Sequence, residues 1–96
     1  MLDRDRIDQI AQRVATANLS QANVTSVSSA PTADSEGRDA LRITIVIPPE
    51  AVGTIDGKAA LDTLVQIHDE LQQAGENRFP IVEYATEEEL QESGDS

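Results

Sequence analysis

The segment Leu41–Ile47, with the sequence LRITIVI, is the clearest structural signal in the chain and decides the fold. Leucine and isoleucine alternate with Arg, Thr and Val along it, and this period of two predicts a β-strand. The isoleucine face is expected in the core, and the opposite face is expected to be at least partly exposed to solvent. Pro48-Pro49 ends the strand, because proline cannot continue the hydrogen-bonded ladder.

A weaker strand is predicted before it, over Asn23–Ala30, and turn-forming residues fill Pro31–Asp39 between the two. Val24 and Val27 are three positions apart, so strict alternation would place them on opposite faces. A bulge at residues 25–26 would bring both valines to the core. The two strands are expected to pair as an antiparallel hairpin.

Two helices are predicted on either side of this hairpin. Asp3 is the expected cap of a helix that starts at Arg4 and ends near residue 18. A second helix follows Asp56-Gly57 and ends at Gly75, where a left-handed C-cap is expected. Both show apolar residues at helical spacing, which predicts one buried stripe on each. The stripes are Ile7, Ile10, Ala11, Val14 and Ala15 in the first helix, and Leu61, Leu64, Val65, His68 and Leu71 in the second, broadened by Ala60, Ile67 and Ala74.

A third strand is predicted over Phe79–Tyr84, with Pro80 placing its start at an edge of the sheet. Thr86 and Glu89 have the spacing of a capping box, which predicts a short helical turn with Leu90 as its anchor. The order is therefore α-β-β-α-β with a short C-terminal helical turn. We predict an α+β two-layer sandwich with a three-stranded mixed sheet. Residues 1–90 form the single domain, and residues 91–96 are expected to be an acidic disordered tail.

The composition narrows the classes of function. The chain has 96 residues and no cysteine, which excludes disulfides, thiolate metal sites and thiol nucleophiles. The first residues mix Asp and Arg without an apolar run, and no segment has the roughly 20 apolar residues that span a bilayer. We therefore expect a cytoplasmic protein that does not enter membranes.

Negative charge is concentrated at one end of the chain. The net charge is −11, and residues 61–96 alone carry ten acids and one base. The negative electrostatic field of such a surface repels phosphate backbones and favours basic partners. An ordinary solvated surface without a binding role would also account for these charges. The nearly neutral first two-thirds show that the acidity belongs to the second helix, the third strand and the tail.

Catalytic constellations are not recognisable in the sequence. His68 is the one histidine, and its place beside an apolar stripe is typical of a half-buried residue at the edge of a core. None of the serines lies in a strand-turn-helix elbow of the kind that a nucleophile needs. Consecutive glutamates on a helix fan around its axis and do not chelate one ion. We predict no catalytic, cofactor-binding or metal-binding residues, and no enzyme.

The order of elements resembles the KH-type arrangement of the ribosome-binding factor A family over residues 4–84. The Val-Thr strand Asn23–Val27 precedes the isoleucine strand, and Phe79–Tyr84 follows the helix as a last strand. The resemblance implies RNA binding, which in KH domains uses a basic surface and often a Gly-X-X-Gly loop. This chain has no such loop and the opposite charge. A KH-like nucleic-acid-binding domain is therefore the alternative interpretation.

The leading hypothesis is a small non-enzymatic protein-binding or regulatory protein without a cofactor. One mode of binding uses an exposed strand edge, which pairs with a partner strand or with a second copy in a homodimer. The other mode uses the acidic C-terminal surface against a basic protein. The candidate partner-binding residues of that surface are Glu83, Glu87, Glu88 and Glu89.

Overall fold

The protein is described by a computed structural model that covers residues 2–94, with side chains described up to Gln91. The elements follow the predicted order and confirm a small α+β fold with a three-stranded mixed sheet. The helices and strands are α1 (Arg4–Leu19), β1 (Ser26–Ala33), β2 (Asp39–Val46), α2 (Gly57–Gln73), β3 (Phe79–Ala85) and α3 (Glu87–Gly94). Short 3-10 turns at Gln21–Asn23 and Pro49–Ala51, which the sequence patterns did not predict, join α1 to β1 and β2 to α2.

The isoleucine strand β2 lies in the centre of the sheet, in the order β1-β2-β3. β1 pairs with it antiparallel from Ser26 opposite Val46 to Ala33 opposite Asp39. β3 pairs with its other side in parallel, which the helical connection through α2 allows. The strand β1 therefore continues through Pro31, which the sequence analysis placed in the turn.

The entry into β1 contains the expected irregularity. Thr25 donates its backbone N–H to the carbonyl of Val46 at 2.7 Å, although Ser26 is the residue paired with Val46. Two successive residues thus face one residue of β2, which is the arrangement of a β-bulge. Val24 and Val27, on either side of it, both pack against the core.

The core lies between the sheet and the two long helices. The α1 stripe is buried as predicted, and Asp3 caps the helix by accepting the backbone N–H of Arg6 at 2.8 Å. Leu41, Ile43 and Ile45 of β2 are at most 2% exposed and meet α1 and α2. The residues of α2 that complete this cluster are Ile67 and Leu71, and Thr63 is buried beside them.

The predicted stripe of α2 is partly wrong. Leu61 and Val65 are 58% and 48% exposed, whereas Thr63 is fully buried. The apolar residues of α2 extend over more than one face, so their spacing alone does not select the face that packs. Thr63 is compatible with the core because its hydroxyl donates to the carbonyl of Ala59 at 2.8 Å.

Gly75 and Gly37 are two of the three glycines with a positive φ among the described residues, and their turns require it. Gly75 has a φ of 101° and ends α2 as predicted, and Gly37 has a φ of 82° in the tip of the β1–β2 hairpin. At that tip, Asp34 accepts the backbone N–H groups of Glu36 and Arg38, both at 2.9 Å. These bonds hold the pKa of Asp34 below its usual value.

α3 begins directly after β3 and runs to Gly94. Residues 91–94 therefore continue the helix beyond the short turn that the sequence predicted. Leu90, the expected anchor, is 41% exposed. The predicted tail over 91–96 stays a prediction for residues 95 and 96, which lie outside the described residues.

Candidate functional site

Glu83, the first of the four predicted partner-binding glutamates, lies on the face of the sheet that carries no helix. Its carboxylate accepts the hydroxyl of Thr44 at 3.0 Å, and the Nε of Arg42 lies 4.0 Å away. Both neighbours belong to β2 and come into reach because Thr44 is the register partner of Glu83. The carboxylate is therefore already engaged within the sheet.

Glu89 is engaged as well, in the predicted capping box of α3. Its Oε1 accepts the backbone N–H and the hydroxyl of Thr86, both at 3.1 Å. The Thr86 hydroxyl in turn accepts the backbone N–H of Glu89 at 3.3 Å. These bonds satisfy donors that every helix N-terminus leaves unpaired.

Glu87 and Glu88 are the exposed members of the predicted site. Together with Thr25, Ile47 and Pro48-Pro49 they line an open groove of about 490 Å³. Among the side chains that the structure describes, up to Gln91, theirs form no hydrogen bond or ion pair. Of the four predicted residues, the structure thus brings only these two to one surface, where they also complement the dipole of α3.

The free edge of β3 is a second candidate site. Within residues 2–94 the sheet ends at β3, so one side of this strand has no partner strand. Ile47 donates its N–H to the carbonyl of Ala85 at 2.9 Å, which shows that the backbone groups of Ala85 face β2. Since alternate residues face opposite sides, Val82 and Tyr84 present their backbone groups outward, whereas Pro80 has no N–H and is less than 2% exposed. The edge therefore offers two N–H donors and two carbonyl acceptors.

Exposed apolar side chains lie on both sides of this edge. Phe79 and Ile81 of β3 are 55% and 38% exposed. The flank of α2 that points away from α1 carries Leu61 and Val65, since its opposite flank contacts α1 through Gln66 and Glu70. The ring of His68 joins the two groups, with its centroid 5.2 Å from that of Phe79. We call this set, Leu61, Val65, His68, Phe79 and Ile81, the β3-edge surface.

The sequence analysis missed this surface because it assigned Leu61 and Val65 to the core. Phe79, at the start of β3, is also more than half exposed. One signal pointed to the surface: Pro80, which favours an edge strand. Tyr84, at the end of the edge, is only partly buried, and this burial raises the pKa of its phenol.

A buried ion pair lies at the start of β3. Glu76 is 1% exposed and accepts the backbone N–H and the guanidinium of Arg78, the latter at 2.9 and 3.1 Å. Its Oε1 also accepts the backbone N–H of Leu2 at 3.0 Å. The Arg78 guanidinium, followed by these backbone bonds, lowers the pKa of Glu76 from 4.5 to about 2, and Glu76 raises the pKa of Arg78. Both carboxylate oxygens of Glu76 accept hydrogen bonds, and the bond from Leu2 fastens the N-terminal segment to the loop before β3.

Three of the six cations that a KH-like RNA surface would use lie beside carboxylates, whereas Arg4, Arg6 and Lys58 form no ion pair within the described residues. Arg13 bonds to Glu70, and Arg38 pairs with Asp34 and Glu36 at the hairpin tip. Arg42 lies near Glu83. The described residues contain no group of three or more His, Cys, Asp or Glu side chains placed to hold a metal ion.

Comparisons with known proteins give no family assignment. No protein-family model, no curated protein and no solved structure matches the chain. Among the helices described, none is both long and apolar enough to cross a membrane.

Proposed function

We propose that this chain is a non-enzymatic protein-binding or accessory protein of the cytoplasm, and that its binding site is the free edge of β3. The observation that carries the proposal is the combination of outward backbone groups at Val82 and Tyr84 with exposed apolar side chains on both sides. An added strand obtains affinity from the backbone and specificity from such side chains.

The edge of β3 is favoured over the acidic surface because two of the four glutamates of that surface are already bonded within the chain. Glu83 and Glu89 accept bonds from their own neighbours, and only Glu87 and Glu88 remain for a basic partner. An exposed ion pair contributes little, roughly 0–1 kcal/mol. Burial of Leu61, Val65 or Phe79 contributes more, about 1.5–3 kcal/mol for a side chain that becomes fully covered.

Site-specific photocrosslinking in cells tests the proposal. A photoreactive amino acid replaces Ile81 at the edge, Glu88 in the acidic groove, or Gln12 on the exposed side of α1 as the control. We expect protein adducts at position 81 and not at position 12. Adducts at position 88 without adducts at position 81 would move the binding site to the acidic surface, and the absence of protein adducts at both positions would contradict the proposal.

A KH-like nucleic-acid binder remains the alternative. It requires cations that are free to meet phosphates. Arg4, Arg6 and Lys58 form no ion pair within the described residues, whereas Arg13 and Arg38 are paired with carboxylates. A shift of a labelled RNA oligomer at low salt, lost when Arg42 is replaced by Ala, would support this alternative.

A further inference from the structure

An open cavity of about 170 Å³ lies between the start of α1, the middle of β1 and the start of β3. Its floor is apolar and buried, since Ile7 is 1% exposed and Leu41 is 2% exposed. The residues that complete its lining are Arg4, Ser29, Ala30, Pro31 and Arg78. An apolar cavity with a small number of polar groups at its wall has the composition of a ligand site.

The two guanidinium groups of this cavity have donors left for a ligand. Arg4 is exposed and forms no ion pair within the described residues. Arg78 donates from Nε and Nη2 to Glu76, at 2.9 and 3.1 Å. Its Nη1 has no partner there and is not buried, because every buried polar side-chain atom of the described residues has one. Guanidinium groups bind carboxylates through charge-assisted hydrogen bonds, so these donors favour a ligand with a carboxylate.

Carboxylates around the cavity disfavour a ligand that is only an anion. Glu76 is the main cause of the raised pKa of Arg78, and the charge of Asp39 adds to it. Asp8 accepts the hydroxyl of Ser29 at 2.5 Å, which places the Asp8 carboxylate at the wall of the cavity. These acids repel a simple anion and attract an ammonium group. A zwitterion, which carries both charges, matches the arginines and the acids together.

The volume of the cavity limits the size of this ligand. About 170 Å³ is the volume of about six water molecules at ~30 Å³ each, and sites for drug-sized ligands begin at roughly 300 Å³. An α-amino acid with a short aliphatic side chain has the required size and both charges. Pro31 and Leu41 are register partners, so they offer one continuous apolar wall to that side chain.

We propose that this cavity binds a small aliphatic α-amino acid, such as valine. Its carboxylate binds Arg4 and the Nη1 of Arg78, and its ammonium group lies beside Asp8. Its aliphatic side chain packs against Ile7 and Leu41, which are already screened from water. The cavity shares no residue with the β3-edge surface, so this site goes beyond the function proposed above and either can fail without the other.

NMR titrations of the purified chain test the ligand class. The three probes are L-valine, isovalerate, which is valine without the ammonium group, and valinamide, which lacks the carboxylate. We expect valine to shift the backbone amides of Arg4, Ile7 and Ala30 with a dissociation constant of about 1 mM. Each analogue should bind at least about tenfold more weakly, because it leaves one charged group of the cavity without its partner. Absence of these shifts at about 20 mM valine overturns the site, and equal binding of isovalerate overturns the amino acid as its ligand.

Two pairs of variants locate the bound valine, and the spectrum of each variant verifies that it is folded. Arg4→Ala should raise the dissociation constant for valine by at least about tenfold. Arg6→Ala is its matched control, because Arg6 is also exposed and without an ion pair among the described residues but lies outside the cavity. Asp8→Asn should weaken valine and not isovalerate, with the exposed Asp5→Asn as control. Valine that binds Arg4→Ala as it binds the wild type overturns the proposal.

Discussion

Glu76 and the first turn of α3 lie before and after β3, and they use the same carboxylate side chain differently. Glu76 is buried and charged because Arg78 and two backbone N–H groups bind it. The carboxylates of Glu87 and Glu88 are exposed and form no hydrogen bond or ion pair with the described side chains. The comparison shows that a high local density of carboxylates does not mark the carboxylate with the most partners. That carboxylate is Glu76, which lies alone in the loop before β3.

The largest effect is expected from Glu76→Gln. This change leaves the Arg78 guanidinium, whose side chain is 14% exposed, without its counter-charge. The loss should lower the free energy of unfolding by about 3 kcal/mol, as for other buried pairs that lose one partner. Urea denaturation measures it, with Glu88→Gln as the matched control. Equal stabilities of the two variants would contradict the contrast between the two regions.

Lowering the pH should remove the stabilisation by the Glu76 carboxylate from the wild type as well. The pKa of Glu76 is lowered from 4.5 to about 2 in the folded state, so its stabilisation is complete above 4.5 and is lost as the pH falls toward 2. Over that range the stability difference between the wild type and Glu76→Gln should shrink toward zero. Denaturation curves of both proteins at each pH test this, and a constant difference would show that Glu76 is not the group that titrates.

A smaller effect is expected from Thr86→Ala. It removes the hydroxyl that accepts the Glu89 N–H and donates to the Glu89 carboxylate. Loss of such a cap costs about 1 kcal/mol. Amide hydrogen exchange should show faster exchange in α3 and little change in β2, and Thr86→Ser, which keeps the hydroxyl, should preserve the protection.

The smallest effect is expected from Glu88→Gln. An exposed acid in the first turn of a helix contributes about 0.3–1 kcal/mol through the helix dipole at low salt. The variant should therefore lose a few tenths of a kcal/mol in dilute buffer and match the wild type in about 1 M salt, where charges are screened. A larger, salt-independent loss in thermal or urea unfolding would mean that Glu88 has a partner like that of Glu76.

Local patterns in the sequence predicted much of the fold. The alternation in Leu41–Ile47, the caps at Asp3 and Thr86, and the left-handed Gly75 each depend on a few neighbouring residues. Such features follow from backbone geometry and short-range hydrogen bonds, and the structure confirms them.

Features that depend on distant contacts were not predictable in the same way. α2 has apolar residues on two faces, and only its packing against α1 and β3 decides that Ile67 is buried and Val65 exposed. Nothing in a Gly-Glu-Asn-Arg loop indicates that Glu76 is buried, because its third partner is Leu2, 74 residues away. Of the candidate site, the sequence indicated an edge strand through Pro80, but not the apolar surface around it.

The prolines of the two outer strands set a limit on how this sheet can grow. The Val46 carbonyl faces β1 and accepts Thr25 N–H, so alternation turns the nitrogen of Pro31 toward the outer side of β1, as Pro80 turns its own toward the outer side of β3. Each outer strand thus has a gap in its row of donors, which shortens the stretch that another strand can follow. Strand pairing at either edge is therefore limited to a few residues, which should keep the protein free of fibrous aggregates at high concentration.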